Sequence, residues 1–382
     1  MIPYINPSII GGIPPGEPSG PAAFFHFWQR RSEFPDLDLD AIHSHDPRFD
    51  TDPMTWMQRG PMSFAPYKDD CPYNRYEPCL RREPWLRFLE RVAELVGEAG
   101  YDGVFSDDDL VSCYCPVCQR DFRRFLEQEY ADRLHEITKN APLGGILPYG
   151  DDGKGIGPAL HRYETGELSS GPSPGENEWA TLIWQASQAF WSQTIGDALA
   201  RLRDAGRKRN PRFYVVANWG MSRATEALGI RRRLGHDVRR WLDGATWQML
   251  EEDGSAGYIA PGLVADFWTP CRVVAAYGAE PALLPYTHGS TEQKELVHAE
   301  AASVGCGALV DSGGAPELRA TYRAFYRDRR ELFDGALPHA PVRLYYSFDE
   351  IQRNNDEHLR LFYATARALG RCHVPLDVIT RE

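Results

Sequence analysis

The stretch Asp102-Gly103-Val104-Phe105-Ser106-Asp107-Asp108-Asp109, followed closely by Cys113-Tyr114-Cys115-Pro116-Val117-Cys118-Gln119-Arg120-Asp121-Phe122, carries the pattern on which the fold turns. Residues 103–106 form a short β-rich run bounded by glycine and acidic residues, which reads as a strand. Apolar residues then return at helical spacing over 118–130. A strand, a polar loop and a helix in that order make one unit of a parallel β/α fold.

The same alternation extends in both directions. Further β-rich runs lie at 2–5, 213–217, 245–249, 282–286 and 307–310, making six with 103–106. Helical spacing covers 83–98, with Leu86, Phe88, Leu89, Val92 and Leu95 on one face, and 179–205, where Gly206 is placed to act as a C-cap. The expected fold is a (β/α)8 TIM-type barrel over residues 1–337. Six units are two short of eight, so the reading places the missing strands ahead of residue 2 and expects the chain to be a fragment. A Gly- and Pro-rich excursion at 141–178 reads as a long loop over the barrel mouth. After Pro338 and Pro341 a new strand, helix and strand at 342–347, 358–369 and 374–379 predict the beginning of a second α/β domain over 338–382.

Composition narrows the function. With 42% apolar and 25% charged residues among 382, the chain is an ordinary globular mixture and neither a disordered nor a rod-like one. The formal charge of −12 repels phosphate backbones and anionic lipid, so neither nucleic acid nor a membrane is an expected partner. No apolar run reaches the roughly 18 residues of a membrane span, and Met1-Ile2-Pro3-Tyr4 lacks the basic head of a secretory signal, which predicts a cytoplasmic protein. Aromatic residues make up 12%, including 10 Trp and 18 Tyr, and flat rings of this kind stack against sugars.

Three of the eight cysteines fall within Cys113-x-Cys115-x-x-Cys118, too few and too clustered for a disulfide scaffold. A tetrahedral zinc ion needs a fourth ligand. Cys79, with Cys71 in reserve, precedes the helix at 83–98 and can supply it. Four thiolates leave no open coordination position, so the zinc is expected to be structural and no cofactor is expected for catalysis.

The run from Cys113 through Gln119-Arg120-Asp121-Phe122-Arg123-Arg124-Phe125-Leu126 resembles the Cys-Tyr-Cys-x-x-Cys segment and Phe-Arg-Arg helix of the family 42 β-galactosidases. The resemblance implies a barrel in which these three cysteines join an upstream one, at the place of Cys79, around zinc. A second echo, Arg343-Leu344-Tyr345-Tyr346-Ser347 with 358–379, resembles the start of the flavodoxin-like domain that follows the barrel in those enzymes. The chain departs from the family where its catalytic residues stand. Asp107-Asp108-Asp109 replaces the Asn-Glu pair ahead of the cysteines, and Tyr286-Thr287-His288 replaces the glutamate of the seventh strand. The resemblance therefore carries the fold and the zinc but not the glutamates.

Active sites of such barrels lie at the C-terminal ends of the strands. Glycoside hydrolysis needs two carboxyl groups, one to protonate the leaving oxygen and one to attack or to activate water. The sequence offers Asp107 as nucleophile or base and Glu251 as acid, with Asp108 and Glu252 as alternates. The segment Asp102-Gly-x-Phe-x-Asp107 also looks like the nucleophile strand of several retaining α-glycosidase families. Tyr4, Asn6, Asn218, Trp219, Tyr286, His288 and Asp311 follow strands and suit a hydroxyl-rich ligand, and Trp268 is placed to wall a sugar subsite. The expected function is a glycoside hydrolase, preferably retaining, acting on a carbohydrate. Two other readings are a non-catalytic carbohydrate-binding barrel and a metal-dependent hydrolase using His43, His45 and the acidic triplet. A homo-oligomer is a further expected partner. Phosphate-loop and Gly-x-Ser-x-Gly motifs are missing, which argues against nucleotide and serine-hydrolase chemistry.

Overall fold

Side chains that must leave water on both faces of a strand force that strand into the middle of a covered parallel sheet, and β2, Gly103–Ser106, is such a strand, buried at all four positions. The computed structural model describes residues 2–7, 32, 78–107, 113, 115–136, 178–221, 236–253, 268–286, 295, 298–299, 301–303, 308–309, 316–333, 339–352 and 356–381. They fall into two compact units, one of Met1–Ala217 with Arg232–Ala245 and the other of Asn218–Arg231 with Thr246–Glu382.

In the first unit β2 lies between β1, Tyr4–Ile5, and β3, Tyr214–Met221, with all three parallel. Tyr4, Phe105 and Val216 stand in one row, and Ile5, Ser106 and Ala217 in the next. The helix α1, Glu83–Glu98, starts on Pro84, whose missing N–H costs nothing in a first turn, and buries Trp85, Leu86, Leu89 and Ala93. The helix α2, Pro116–Glu129, repeats the device with Pro116. Both pack on α3, Glu178–Arg207, whose Phe190, Trp191, Ile195, Ala198, Leu199 and Leu202 are buried. Arg201 of α3 fastens α1 by a fork to Glu83, at 2.7 and 2.9 Å, and a third bond to Glu90. The short helix α4, Val238–Trp241, crosses α3 at Gly196, where a Cβ would lie 2.1 Å from the Arg240 carbonyl oxygen.

The second unit repeats the parallel pattern. The strand β4, Trp247–Asp253, pairs with β5, Glu280–Tyr286, which pairs with β6, Ala308–Leu309. The helix α5, Trp268–Ala276, packs its buried Cys271, Val273 and Val274 over β4 and β5. The helix α6, Pro316–Asp328, follows β6. Residues 342–379 form a separate two-stranded parallel sheet, β7, Val342–Tyr345, with β8, Leu376–Ile379. Between them run α7, Phe348–Gln352, and α8, Asp356–Arg371, whose Phe362 ring packs edge-on to the buried Tyr346 at 5.1 Å.

All six strands read from the sequence of the first 337 residues are present and parallel to their partners, with shifted ends. Helix α3 does not stop at Gly206. That glycine is there for contact, since a Cβ would meet the Phe213 ring at 2.2 Å. Strand β4 begins at Trp247 and continues to Asp253, four residues past the predicted end. The excursion at 141–178 lies, up to residue 177, outside the described residues. Among the described residues no helix is long and apolar enough to cross a membrane.

Two expectations follow from this packing. A Cβ on Gly103 would lie 2.0 Å from the Tyr214 carbonyl oxygen, so Gly103→Ala is expected to lower unfolding free energy by about 1 to 3 kcal/mol in denaturant titration. The hydrogen bond from Arg201 holds the Glu83 carboxyl below its ordinary value, against the opposing effect of burial. Its stabilisation is therefore complete above the unfolded-chain value, near pH 4.3, and disappears as pH falls through the lower folded value. Arg201→Met should accordingly lower stability at neutral pH and flatten its decline in acid, as read from melting temperature against pH.

Candidate functional site

Four cysteines converge where two helices begin. Cys79 sits in the turn entering α1, closed by the Arg82 N–H donating to the Cys79 carbonyl oxygen at 3.0 Å. Cys115 is the N-cap of α2 and Cys118 lies in its first turn, while Cys113 stands just before. The ligand atoms of Cys79, Cys113, Cys115 and Cys118 all lie within 4.8 Å of one another. Their exposures are 0, 1, 0 and 1%. Cys79 Sγ is 3.4 Å from Cys118 Sγ and 3.9 Å from Cys115 Sγ.

These separations fit a tetrahedral ion. A Zn–S bond near 2.3 Å places the sulfurs of a tetrahedron about 3.8 Å apart, whereas a disulfide requires about 2.0 Å, and all four thiols are free. Backbone amides turn toward the cluster, Arg81 N–H to Cys79 Sγ and Cys115 N–H to Cys113 Sγ, both at 3.4 Å. Hydrogen bonds from Cys113, Cys118 and Cys79 pull the Cys115 thiol well below its ordinary pKa. Burial first of all pushes Cys113 well above it, and hydrogen bonding with Cys113 and Cys115 does the same to Cys118.

The cluster is bolted to α3 from both sides. Arg81, two residues after Cys79, donates to Thr194 Oγ1 at 2.9 Å, pairs with Asp197 at 3.2 Å and stacks over the Phe190 ring at 5.0 Å. Phe122 and Phe125 of α2 meet the same Phe190 ring edge-on, at 5.3 and 5.6 Å. Arg82 is buried at 4% exposure beside the cluster. Burial works against its charge, and the cysteines, Cys115 foremost, more than offset this, so its pKa lies above the ordinary value. Sequence reasoning passed over Arg81 and Arg82. Their position directly behind Cys79-Leu80 was the signal that could have found them.

A second polar group occupies the C-terminal edge of β1 and β2. The Tyr4 hydroxyl donates to Asp107 Oδ2 at 2.7 Å, and Asn6 Nδ2 donates to the Tyr4 hydroxyl at 3.4 Å. The Asp107 N–H donates to the Ile5 carbonyl oxygen at 3.1 Å, which extends the ladder and fixes the carboxylate at the strand end. Tyr4 is 58% exposed and leans edge-on against Phe105. The structure thus joins three predicted residues, Tyr4, Asn6 and Asp107, in one hydrogen-bonded chain.

The other predicted residues are placed as follows. In β3, Asn218 is buried and Trp219 is wholly so, among the largest fully buried side chains. Glu251 and Glu252 lie within β4, in register with Leu284 and Pro285 of β5, and Tyr286 ends β5 opposite Asp253. Trp268 opens α5. Asp108, His288 and Asp311 lie outside the described residues, as do Cys71, His43 and His45.

No family model matches the sequence, and no curated protein matches it. Solved structures do match. The β-galactosidase of the psychrophilic Marinomonas ef1 is similar at a TM-score of 0.54 and 13% identity, over 82% of this chain and 56% of that one. The β-galactosidase of Bacillus circulans sp. alkalophilus is similar at a TM-score of 0.53 and 13% identity, over 93% of this chain and 58% of that one. The chain thus spans little more than half the length of either enzyme. At this identity the likeness is one of fold alone: an α/β chain of parallel strands and helices, similar in fold to these two structures.

If the cluster holds a metal, the purified full chain should contain one divalent ion per molecule by elemental analysis, and Cys118→Ser should lose it. Since the ligand thiols must be deprotonated to bind, binding displaces protons and weakens as pH falls. Acid titration of the wild type should therefore release the ion.

Proposed function

We propose that the chain is a glycoside hydrolase with a structural zinc ion. The observation that carries this reading is the hydrogen-bonded chain Asn6–Tyr4–Asp107 at the C-terminal edge of adjacent parallel strands, the edge at which barrel enzymes keep their chemistry. The fold likeness to two β-galactosidases supports it. Cys79, Cys113, Cys115 and Cys118 hold the zinc, which takes no part in bond cleavage.

Asp107 attacks the anomeric carbon of the sugar, or activates water against it. The Tyr4 hydroxyl donates to one carboxylate oxygen of Asp107 and so sets the orientation of the carboxylate. Glu251 protonates the leaving oxygen, with Glu252 as alternate, and in the retaining course later takes a proton from the incoming water. Asn6 and Asn218 meet sugar hydroxyls, as do Tyr286, His288 and Asp311. The sheet of β7 and β8 begins a flavodoxin-like domain.

A second reading, a carbohydrate-binding barrel without hydrolysis, is favoured by one specific observation: Asp107-Asp108-Asp109 and Tyr286-Thr287-His288 stand where the resembling family keeps its glutamates. A panel of nitrophenyl α- and β-glycosides separates the two. Hydrolysis predicts turnover of at least one sugar. Asp107→Asn should lower that kcat by about a hundredfold or more at unchanged melting temperature, and Tyr4→Phe, which loses one hydrogen bond, by about fivefold. Sugar binding without turnover of any substrate would move the assignment to the binding barrel.

A further inference from the structure

A divalent ion held by four thiolates carries a net charge of −2, and here the ligands are almost without exposed surface. Such a charge is unfavourable in the interior unless positive groups answer it. Both helices that contribute cysteines begin at the cluster, α2 with Cys115 as N-cap and α1 with Arg82 as N-cap. Each helix N-terminus is equivalent to about half a positive charge. Two amides point at thiol sulfurs. The remaining unit lies on Arg82, three residues after Cys79, buried with the cluster and interacting electrostatically with all four cysteines.

We infer that Arg82 is the counter-charge of the metal centre: its fixed positive charge, added to those of two helix N-termini, brings a divalent tetrathiolate close to neutrality and sets how tightly the site holds a divalent cation. The inference rests on the metal reading given above. It has a thermodynamic consequence. Four buried thiolates this close cannot all stay ionised without a cation between them, so the metal-free cluster answers the guanidinium less well than four thiolates around a divalent ion. Arg82 therefore favours the metal-bound chain over the metal-free one, and does not simply stabilise both.

The test uses the full chain, stripped by a chelator and reloaded, as wild type, Arg82→Met and Arg82→Lys. Co2+ reports the ligand set through the visible bands of a tetrahedral thiolate site, and Zn2+ affinity is read by competition with a chromophoric chelator. All three proteins should give tetrathiolate bands at one Co2+ per chain. Arg82→Met should bind Zn2+ about tenfold to a hundredfold more weakly, and Arg82→Lys should lose less than about tenfold. The rise in melting temperature on adding Zn2+ should shrink in Arg82→Met, while the metal-free melting temperature is not lowered. Equal Zn2+ affinity in wild type and Arg82→Met, or Arg82→Lys as weak as Arg82→Met, overturns the inference and leaves the metal reading standing. So does an Arg82→Met that melts equally low with and without metal. Should Arg82→Met not accumulate in folded form, Arg82→Lys decides alone: a loss under about tenfold supports the role of charge, and a larger one overturns it. A wild type without any metal-dependent band ends the metal reading, and the inference with it.

Discussion

Four cysteine sulfurs held within 4.8 Å of one another, where two helices begin, impose the tightest constraint in the first unit. Cys79 and Cys115 are 36 residues apart in sequence, so an ion holding both closes a loop that contains all of α1 and β2. By chain entropy such a cross-link, if it acts like a disulfide, contributes on the order of 3 to 4 kcal/mol. It also acts locally. Arg81 and Cys115 turn their backbone amides onto thiol sulfurs, so the starts of α1 and α2 are ordered around the same four sulfurs.

Around this centre the contacts converge on α3. Arg81 reaches Thr194, Asp197 and the face of Phe190, whose ring also receives Phe122 and Phe125. Ordering one aromatic side chain thus serves the cysteine turn and the cysteine helix together. Farther along α3, Arg201 does for Glu83 and Glu90 what Arg81 does for the cluster. These are partly exposed pairs, each worth little alone, and their value lies in fixing where α1 begins. Because α1 begins directly after Arg82, the same contacts set the position of the guanidinium beside the thiols.

Much of this was legible in the sequence, for identifiable reasons. Short β-rich runs between helical patterns mark the six strands because parallel strands buried on two faces are largely apolar, as Gly103-Val104-Phe105 is within the wholly buried Gly103–Ser106. The thiols were legible because metal spacing leaves few alternatives. Strand ends were not. Leu250-Glu251-Glu252-Asp253 reads as a loop on polarity alone, yet the residues pair with Leu283 through Tyr286, because backbone pairing does not depend on side-chain polarity. Gly206 reads as a helix stop but serves contact with Phe213, which no local pattern announces. The Tyr4–Asp107 bond joins residues 103 positions apart, and only the folded chain brings them together.

The cluster fixes where two helices of the first unit begin, so the ligand set of the proposed ion is the point at which the account is most exposed. X-ray absorption at the zinc edge, on the full chain loaded with one Zn2+, measures it directly. Four sulfur neighbours at about 2.3 Å are the predicted result. A shell that includes nitrogen or oxygen, or zinc held nonspecifically without a sulfur shell, would contradict the tetrathiolate centre on which the rest is built.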